Sequence, residues 1–293
     1  MLPAYAYPIA LAAISVFVAA LERAMPARPE QGARRPHVGW DAVYLVFNGH
    51  MLGLILYGLA GAYVVPMSDA FLEARGWEGA LARPLAASWA VGTQIVVALL
   101  VTDFIHWCVH RLLHRVPWLW ELHKCHHSVE EGEMDWLVAF RFQWTEVVVY
   151  RVLQYVPLAF FGFSEVAVLF HAIFGTLIGH LNHANLPITW GPLRYVLNSP
   201  RMHMWHHDYE GDARSTKNFG IIFSCWDWLF GTAYMPDTPP ARIGFPGAET
   251  YPRNFFAATL WPAQRWWSAL QRPWLATVLG VALIMGAYAL AAR

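Results

Sequence analysis

The sequence predicts an all-α integral membrane protein, with a base of transmembrane helices beneath a helical cytoplasmic cap that carries a histidine-rich site for two metal ions. Three observations lead there. Of the 293 residues, 57% are apolar and 14% charged, where soluble chains average about 45–50% and about 25%. Apolar runs near the roughly 20 residues that a bilayer crossing needs recur along the chain. Ten of the fourteen histidines fall into four short clusters between residues 110 and 207.

The elements follow in order. The run Ala4–Leu21 has no basic stretch ahead of it and no clear A-x-A cleavage site, so it reads as a retained helix. Ala42–Val65 and Ala86–Thr102 are the next two spans. Val147–Gly179 is too long for one crossing, and Phe161-Gly162-Phe163-Ser164 inside it is turn chemistry, so the run predicts a hairpin of two segments. Trp274–Ala292 is the last span. The chain reads as a single membrane domain, 1–293, with a core at about 86–235, N-terminal helices over 1–85, and a C-terminal cap and final transmembrane helix over 236–293. The cap is built from His110–Gln143 and His180–Arg272, and Pro236–Pro252 reads as an ordered loop over it. Sixteen Trp, seventeen Phe and twelve Tyr suit a chain with two membrane–water interfaces.

Arginine placement predicts the orientation. Glu22–Val38 carries Arg23, Arg28, Arg34 and Arg35, whereas Pro66–Leu85 carries Arg75 and Arg83 offset by Asp69, Glu73 and Glu78. The positive-inside rule puts the first loop in the cytoplasm, in a bacterial inner membrane. If 147–179 goes out and back, all four histidine clusters reach that same side. The formal net charge is zero and no Lys/Arg run exists, which disfavours nucleic acid as a partner. Cys108, Cys125 and Cys225 form no CxxC and no disulfide framework, as suits a reducing compartment.

The clusters are His110 and His114; His123, His126 and His127; His180 and His183; and His203, His206 and His207. On a helix, positions i, i+3 and i+4 share a face, so HxxHH is expected to offer three imidazoles to one point and HxxxH two. Composition alone supplies about 0.03 HxxHH in this length, and the chain has two. Ten imidazoles exceed the coordination of one ion and imply two. Neutral imidazole suits zinc, copper, iron and nickel. Structural zinc sites usually include cysteine, which is not paired with histidine here at such spacing; a redox pair that activates dioxygen fits better. Neither E-x-x-H nor H-E-x-x-H occurs, which argues against ferritin-like bundles and zincin proteases. Two other classes stay open: a zinc-dependent non-redox membrane hydrolase, and a metal-transport or metal-binding membrane protein, although transporters place their ligands nearer the bilayer midplane.

The run DFIHWCVHRLLHRVPWLWELHKCHHSVEEGEMDWLVAFRFQWTE, then GHLNHANLPITWGPLRYVLNSPRMHMWHHD and the trailing NFGIIFSCWDWLFGT, resemble the signatures of the fatty acid hydroxylase / sterol desaturase superfamily over roughly Thr102–Tyr234. The resemblance implies an integral membrane, non-haem di-iron enzyme that uses dioxygen and external electrons to hydroxylate or desaturate a lipid C–H bond, in a sterol, fatty acyl or related lipid. It implies His110, His114, His123, His126, His127, His183, His203, His206 and His207 as ligands; His180, where relatives often carry another residue, is the tenth candidate. Gln143 stands where many relatives have His, and Asp135 where many have Asn. No dinucleotide fingerprint, haem-attachment motif or iron–sulfur cysteine pattern is present, so the electrons are expected from separate chains, a ferredoxin or cytochrome-b-type carrier and its reductase.

Other residues are candidates beside the ligands. Asp103, seven residues before His110 on the same helical face, could accept a ligand N–H and fix its tautomer, or serve as an interfacial acid. Glu146 reads as a ligand partner or a helix-terminal acid. Asn182 and Asn185 flank His183 and could bond ligands or cap its helix. His106 shares the face of His110 and is expected beside the ligands or in the core. His50 and His171 are expected to bond neighbouring helices, and His37 to be solvated. Trp118, Trp120, Trp136 and Trp205 are candidates to line the site.

Overall fold

A computed structural model describes residues 3, 5–32, 35–77, 84–129, 134–209 and 217–270. The expected last span, 274–292, lies outside the described residues. Among those residues every regular element is helical, joined only by isolated antiparallel bridges of Leu197 with Phe223 and of Asp208 with Ile243.

Four helical stretches are long and apolar enough to cross a membrane: α1 (Ala6–Ala24), the rod Val38–Glu73, α5 (Val91–Arg115) and α8 (Glu165–His183). The rod joins α2 (Val38–Val46), α3 (Leu52–Leu59) and α4 (Val65–Glu73) through π-helical turns at Phe47–Met51 and Ala60–Val64. It outruns the expected 42–65 because Pro66 falls in the first turn of α4, where a missing N–H costs least. The next span is shifted relative to the expected 86–102. Residues 85–88 form a 3-10 turn, and α5 continues through the histidines to Arg115, where its polar last turns are covered by the cap instead of lipid. The expected hairpin is present. α7 (Trp144–Phe160) and α8 are separated by residues 161–164, where Gly162 takes φ +72° and the Ser164 hydroxyl caps α8 at Ala167 N (3.3 Å). Gln94 of α5 accepts from Ser164 N at 2.7 Å and pins that turn.

Exposed residues on these helices, such as Val16, Tyr57, Val96, Val152 and Val166, are apolar. In water so much apolar surface would be a liability; against lipid tails it costs nothing. The inner faces pack conventionally. Val18 of α1, Ile178 and Leu181 of α8, and Ile222 form one buried cluster, so α8 is central, in contact with α1 and α5. α7 and α8 both pack on α5, and an apolar cavity of about 1160 Å³ lies between them.

The cap contains α6 (Pro117–His127), α9 (Pro200–His206), α10 (Cys225–Leu229) and α11 (Phe255–Leu270), with 3-10 turns at Trp136–Phe140, Gly191–Tyr195 and Ala248–Thr250. Pro117 and Pro200 open their helices, and the Ser199 hydroxyl accepts from Met202 N at 3.2 Å. A buried ionic group joins base to cap. Asp41 accepts from Arg141 Nε and Nη2 (2.5 and 2.7 Å) and pairs with Arg35 Nη1 (2.6 Å), and Arg35 binds both oxygens of Asp135 (2.5 and 2.6 Å). The stretch 236–252 is ordered over the cap as expected: Arg242 O accepts from Tyr209 N (3.0 Å), and Gly244 N donates to His207 O (2.8 Å).

Candidate metal centre

Each histidine is placed by a short helical stretch whose other faces are already committed. His110 and His114 end α5, His123, His126 and His127 end α6, His183 ends α8, and His203, His206 and His207 end α9. All nine are buried, at 0–2% exposure. They assemble as two adjacent groups, His110, His114, His123, His127 and His206 in one, and His126, His183, His203 and His207 in the other; within each group the candidate ligand nitrogens all lie within 4.8 Å of one another.

This grouping corrects the expectation that an HxxHH serves one point. His123 and His127 stand with the first group and His126 with the second; His203 and His207 stand with the second and His206 with the first. Successive residues on a helix are turned by about 100°, so neighbours such as His126 and His127 point to different centres, while the i, i+4 pair remains together. His180 is not brought to either group. Its Nδ1 donates to Thr176 O (2.8 Å), its Nε2 accepts from Ser15 Oγ (3.1 Å), and the ring stacks on Trp136.

The ring orientations are fixed from outside. Nδ1 of His110 donates to Phe219 O (2.8 Å), of His206 to Lys217 O (2.8 Å), of His183 to Gly179 O (2.7 Å) and of His123 to Glu146 Oε1 (2.7 Å). A proton on Nδ1 leaves Nε2 as a bare lone pair. His110 Nε2 and His123 Nε2 are nonetheless 3.0 Å apart, and His183 Nε2 lies 2.9 Å from His203 Nε2 and 3.1 Å from His126 Nε2. For His110 and His123, both held by Nδ1 donors, two lone pairs face each other and repel unless a cation lies within reach of both. A shared proton would put charge in a dry site on one pair only. Among the described residues, both ring nitrogens of His114 and of His207 have no hydrogen-bond partner, nor has Nδ1 of His126 or His203. The donor set, its tautomers and these orphaned atoms fit two metal ions, each ringed by imidazole. Burial, and next the closeness of the other rings, hold His123, His126, His127, His203, His206 and His207 well below the ordinary imidazole value, which keeps them neutral.

The supporting residues are sorted differently from expectation. Glu146 stands in the first turn of α7 and also accepts from His123 Nδ1 (2.7 Å). Asp103 touches no ligand; it accepts from Ile222 N (2.8 Å), Phe223 N (3.0 Å) and Trp226 Nε1 (3.0 Å), and so holds the loop before α10. Asn185 clamps the loop after α1, with Oδ1 accepting from Arg28 N (2.9 Å) and Nδ2 donating to Arg28 O (3.0 Å), and Asn182 donates to Ile221 O (2.7 Å). Neither caps α8. His106 stacks on Tyr150 and meets the edge of His110 (centroids 5.6 Å apart), and His171 meets the edge of Tyr155; neither belongs to the two groups. His37 is exposed at the start of α2. Trp120 packs on His114 and His127, but Trp118 and Trp205 lie on the cap's outside, on Trp266 and Tyr234, and Trp136 sits on His180.

One residue escaped the sequence reading. Asp227 accepts from Phe219 N (2.9 Å), Gly220 N (2.8 Å), Trp107 Nε1 (3.0 Å) and Thr232 Oγ1 (2.6 Å), and so aims the Phe219 carbonyl at His110. Gly220 has to be glycine there, since a Cβ would collide with Phe223 O. The signal was the acid inside CWDW, in a stretch quoted only for its resemblance.

Comparison with known proteins agrees with this geometry. Residues 95–232, which carry the nine converging histidines, match the family model for fatty acid hydroxylase. That match covers a little under half of the chain and is to the family that the sequence motifs resemble. An ornithine lipid hydroxylase of Rhizobium tropici is 31% identical over 178 residues, 60% of this chain and 52% of that protein. An alkylglycerol monooxygenase of Caenorhabditis elegans is 30% identical over 165 residues, 54% of this chain and 31% of that one. A very-long-chain aldehyde decarbonylase of Oryza sativa is 26% identical over 163 residues, 50% and 24% of the two chains. The matches thus span about half of the first relative and a third or less of the others. No solved structure matches the chain.

Proposed function

We propose that this protein is a membrane-bound oxygenase that uses dioxygen and external electrons to oxidise a C–H bond of a lipid. The observation that carries the reading is the position of His183, which belongs to the second histidine group and also lines the apolar cavity between α7 and α8, so a lipid chain in that cavity ends at the imidazoles. The named activities of the ornithine lipid hydroxylase and the alkylglycerol monooxygenase support it. In this reading His110, His114, His123, His127 and His206 hold one iron ion and His126, His183, His203 and His207 the other. Two iron ions so held supply the redox capacity that dioxygen activation needs. The chain's own residues do the rest. Glu146 and the Phe219, Lys217 and Gly179 carbonyls fix ring tautomers, the cap excludes water, and the cavity walls present one carbon to the centre. The centre is assigned to the cytoplasmic side, because the arginine-rich loop after α1 is clamped to Asn185 at the same end of the bundle. Electrons come from a separate carrier and reductase.

The test is reconstitution with ferrous iron without oxygen, then exposure to isotopically labelled dioxygen, a carrier–reductase pair and a total lipid extract. Incorporation of one labelled oxygen atom into a lipid, or appearance of a new double bond, is expected; turnover with NAD(P)H and no carrier would refute the partner assignment. An all-imidazole donor set also suits zinc, so a second reading is a zinc-dependent hydrolase. Product formed in the strict absence of dioxygen selects it.

A further inference from the structure

The cavity between α7 and α8 contains a cation that the oxygenase reading leaves unused. Arg151 lies on α7, five residues beyond Glu146 and so about 7.5 Å further along the axis. Its Nη2 donates to the Asn48 carbonyl (2.7 Å), in the π-helical turn of the rod. Among the described residues Nε and Nη1 make no hydrogen bond, and Arg151 belongs to the cavity lining. No carboxylate pairs with this guanidinium among the described residues. Asp103 reaches the same lining, but its oxygens are taken by Ile222, Phe223 and Trp226. Glu165 lies at the cavity's far end, 18 residues and about 27 Å from His183 along α8.

An arginine among membrane helices is costly and is kept where it has a task. Holding one backbone carbonyl needs only an uncharged donor, which leaves the charge itself unexplained. Gly53 adds to this, because a Cβ there would meet Arg151 Nη1; the rod is notched where the guanidinium lies. The position is also close to the chemistry. Asn48 Nδ2 donates to Phe142 O (2.9 Å), and the Phe142 ring stacks on His126 with centroids 4.2 Å apart. Across the cavity the Tyr7 hydroxyl and Thr176 Oγ1 bond each other at 2.9 Å, within a lining that is mostly apolar.

We infer that Arg151 anchors an anionic oxygen of the lipid substrate, a carboxylate or a phosphate, so that the carbon oxidised lies near the polar end of the lipid and the chain fills the rest of the cavity. The inference rests on the reading of the protein as a lipid oxygenase. Its test uses binding. The full chain in neutral detergent is offered lipid pairs of equal chain length, a fatty acid with its fatty alcohol and an alkylglycerol phosphate with its alkylglycerol, and bound lipid is counted by native mass spectrometry. The wild type is expected to retain the anionic member about tenfold over the neutral one, the usual return for a charge-assisted pair out of water. Arg151→Met removes the preference, Arg151→Lys keeps part of it, and Gly53→Ala, which displaces the guanidinium without removing its charge, weakens it. Preference within one pair alone assigns the anion as carboxylate or phosphate. Equal retention of charged and neutral lipids by the wild type, or a preference that survives in a folded Arg151→Met protein, overturns the inference. A preference that persists while no labelled oxygen reaches any lipid removes the oxygenase reading and leaves the anchor standing.

Discussion

His123 shows how a single ring is made ready for a metal. Glu146 accepts the hydrogen bond from Nδ1, α6 turns Nε2 inward, and burial keeps the imidazole neutral. Under the proposed ligand assignment, His126→Ala and His206→Ala each abolish activity and lower bound iron, while His180→Ala, which removes a ring bonded to Ser15 and Thr176, and His37→Ala keep the iron content of the wild type. Elemental analysis of the four purified variants checks this, and equal losses in all four would refute it. Glu146→Gln keeps an acceptor for Nδ1 but removes the charge, and is expected to weaken metal affinity or activity about 10- to 100-fold, as losing an outer partner of a ligand commonly does. A metal-binding isotherm for that variant matching the wild type would remove Glu146 from its role. The four histidine clusters were legible from spacing, because i, i+3 and i+4 lie close on a helix, but the division of each HxxHH between two groups and the separation of His180 were not. Nor were the roles of Asp103 and Asp227. Both act on backbone amides of another segment, Asp103 more than a hundred residues away, and no sequence pattern encodes which amide a carboxylate will meet.

The helices were legible by their apolar centres and misjudged at their ends. Hydropathy falls after Thr102 because the following turns face histidines, yet α5 runs on to Arg115. The hairpin turn at 161–164 was visible through Gly162 and Ser164; the π-helical turns of the rod were not, since nothing in FNGHM or AGAYV marks a widened turn. What fastens the rod to the cap is Asp41, buried between Arg35 and Arg141. Asp41→Asn leaves two guanidinium groups buried against a neutral amide, and breaking a buried pair from one side costs about 3–5 kcal/mol. Unfolding of the variant in detergent, followed by circular dichroism, is expected to show a loss of that size; a loss under about 1 kcal/mol would mean the group is solvated and of little consequence.

The molecule as a whole buries nine imidazoles in one dry interior, and this couples its stability to proton concentration. In the folded state the rings of His123, His126, His127, His203, His206 and His207 are held well below the ordinary imidazole value of 6.5, by burial first. The unfolded chain therefore binds more protons as the pH falls below that value, and stability declines with acidification. Thermal unfolding of the metal-free protein is expected to shift to lower temperature between about pH 7.5 and about pH 5.5, the window in which free imidazoles charge. A midpoint that stays level or rises would contradict the buried, neutral state.

The two histidine groups borrow rings from the same short helices, since α6 and α9 each contribute to both. Half a centre cannot be assembled by itself. Whatever aligns α6 and α9 for a first ion has already done most of the ordering a second one requires, so under the proposed assignment the ions are taken up cooperatively, and a loading curve steeper than that of two independent equivalent sites is the outcome to look for.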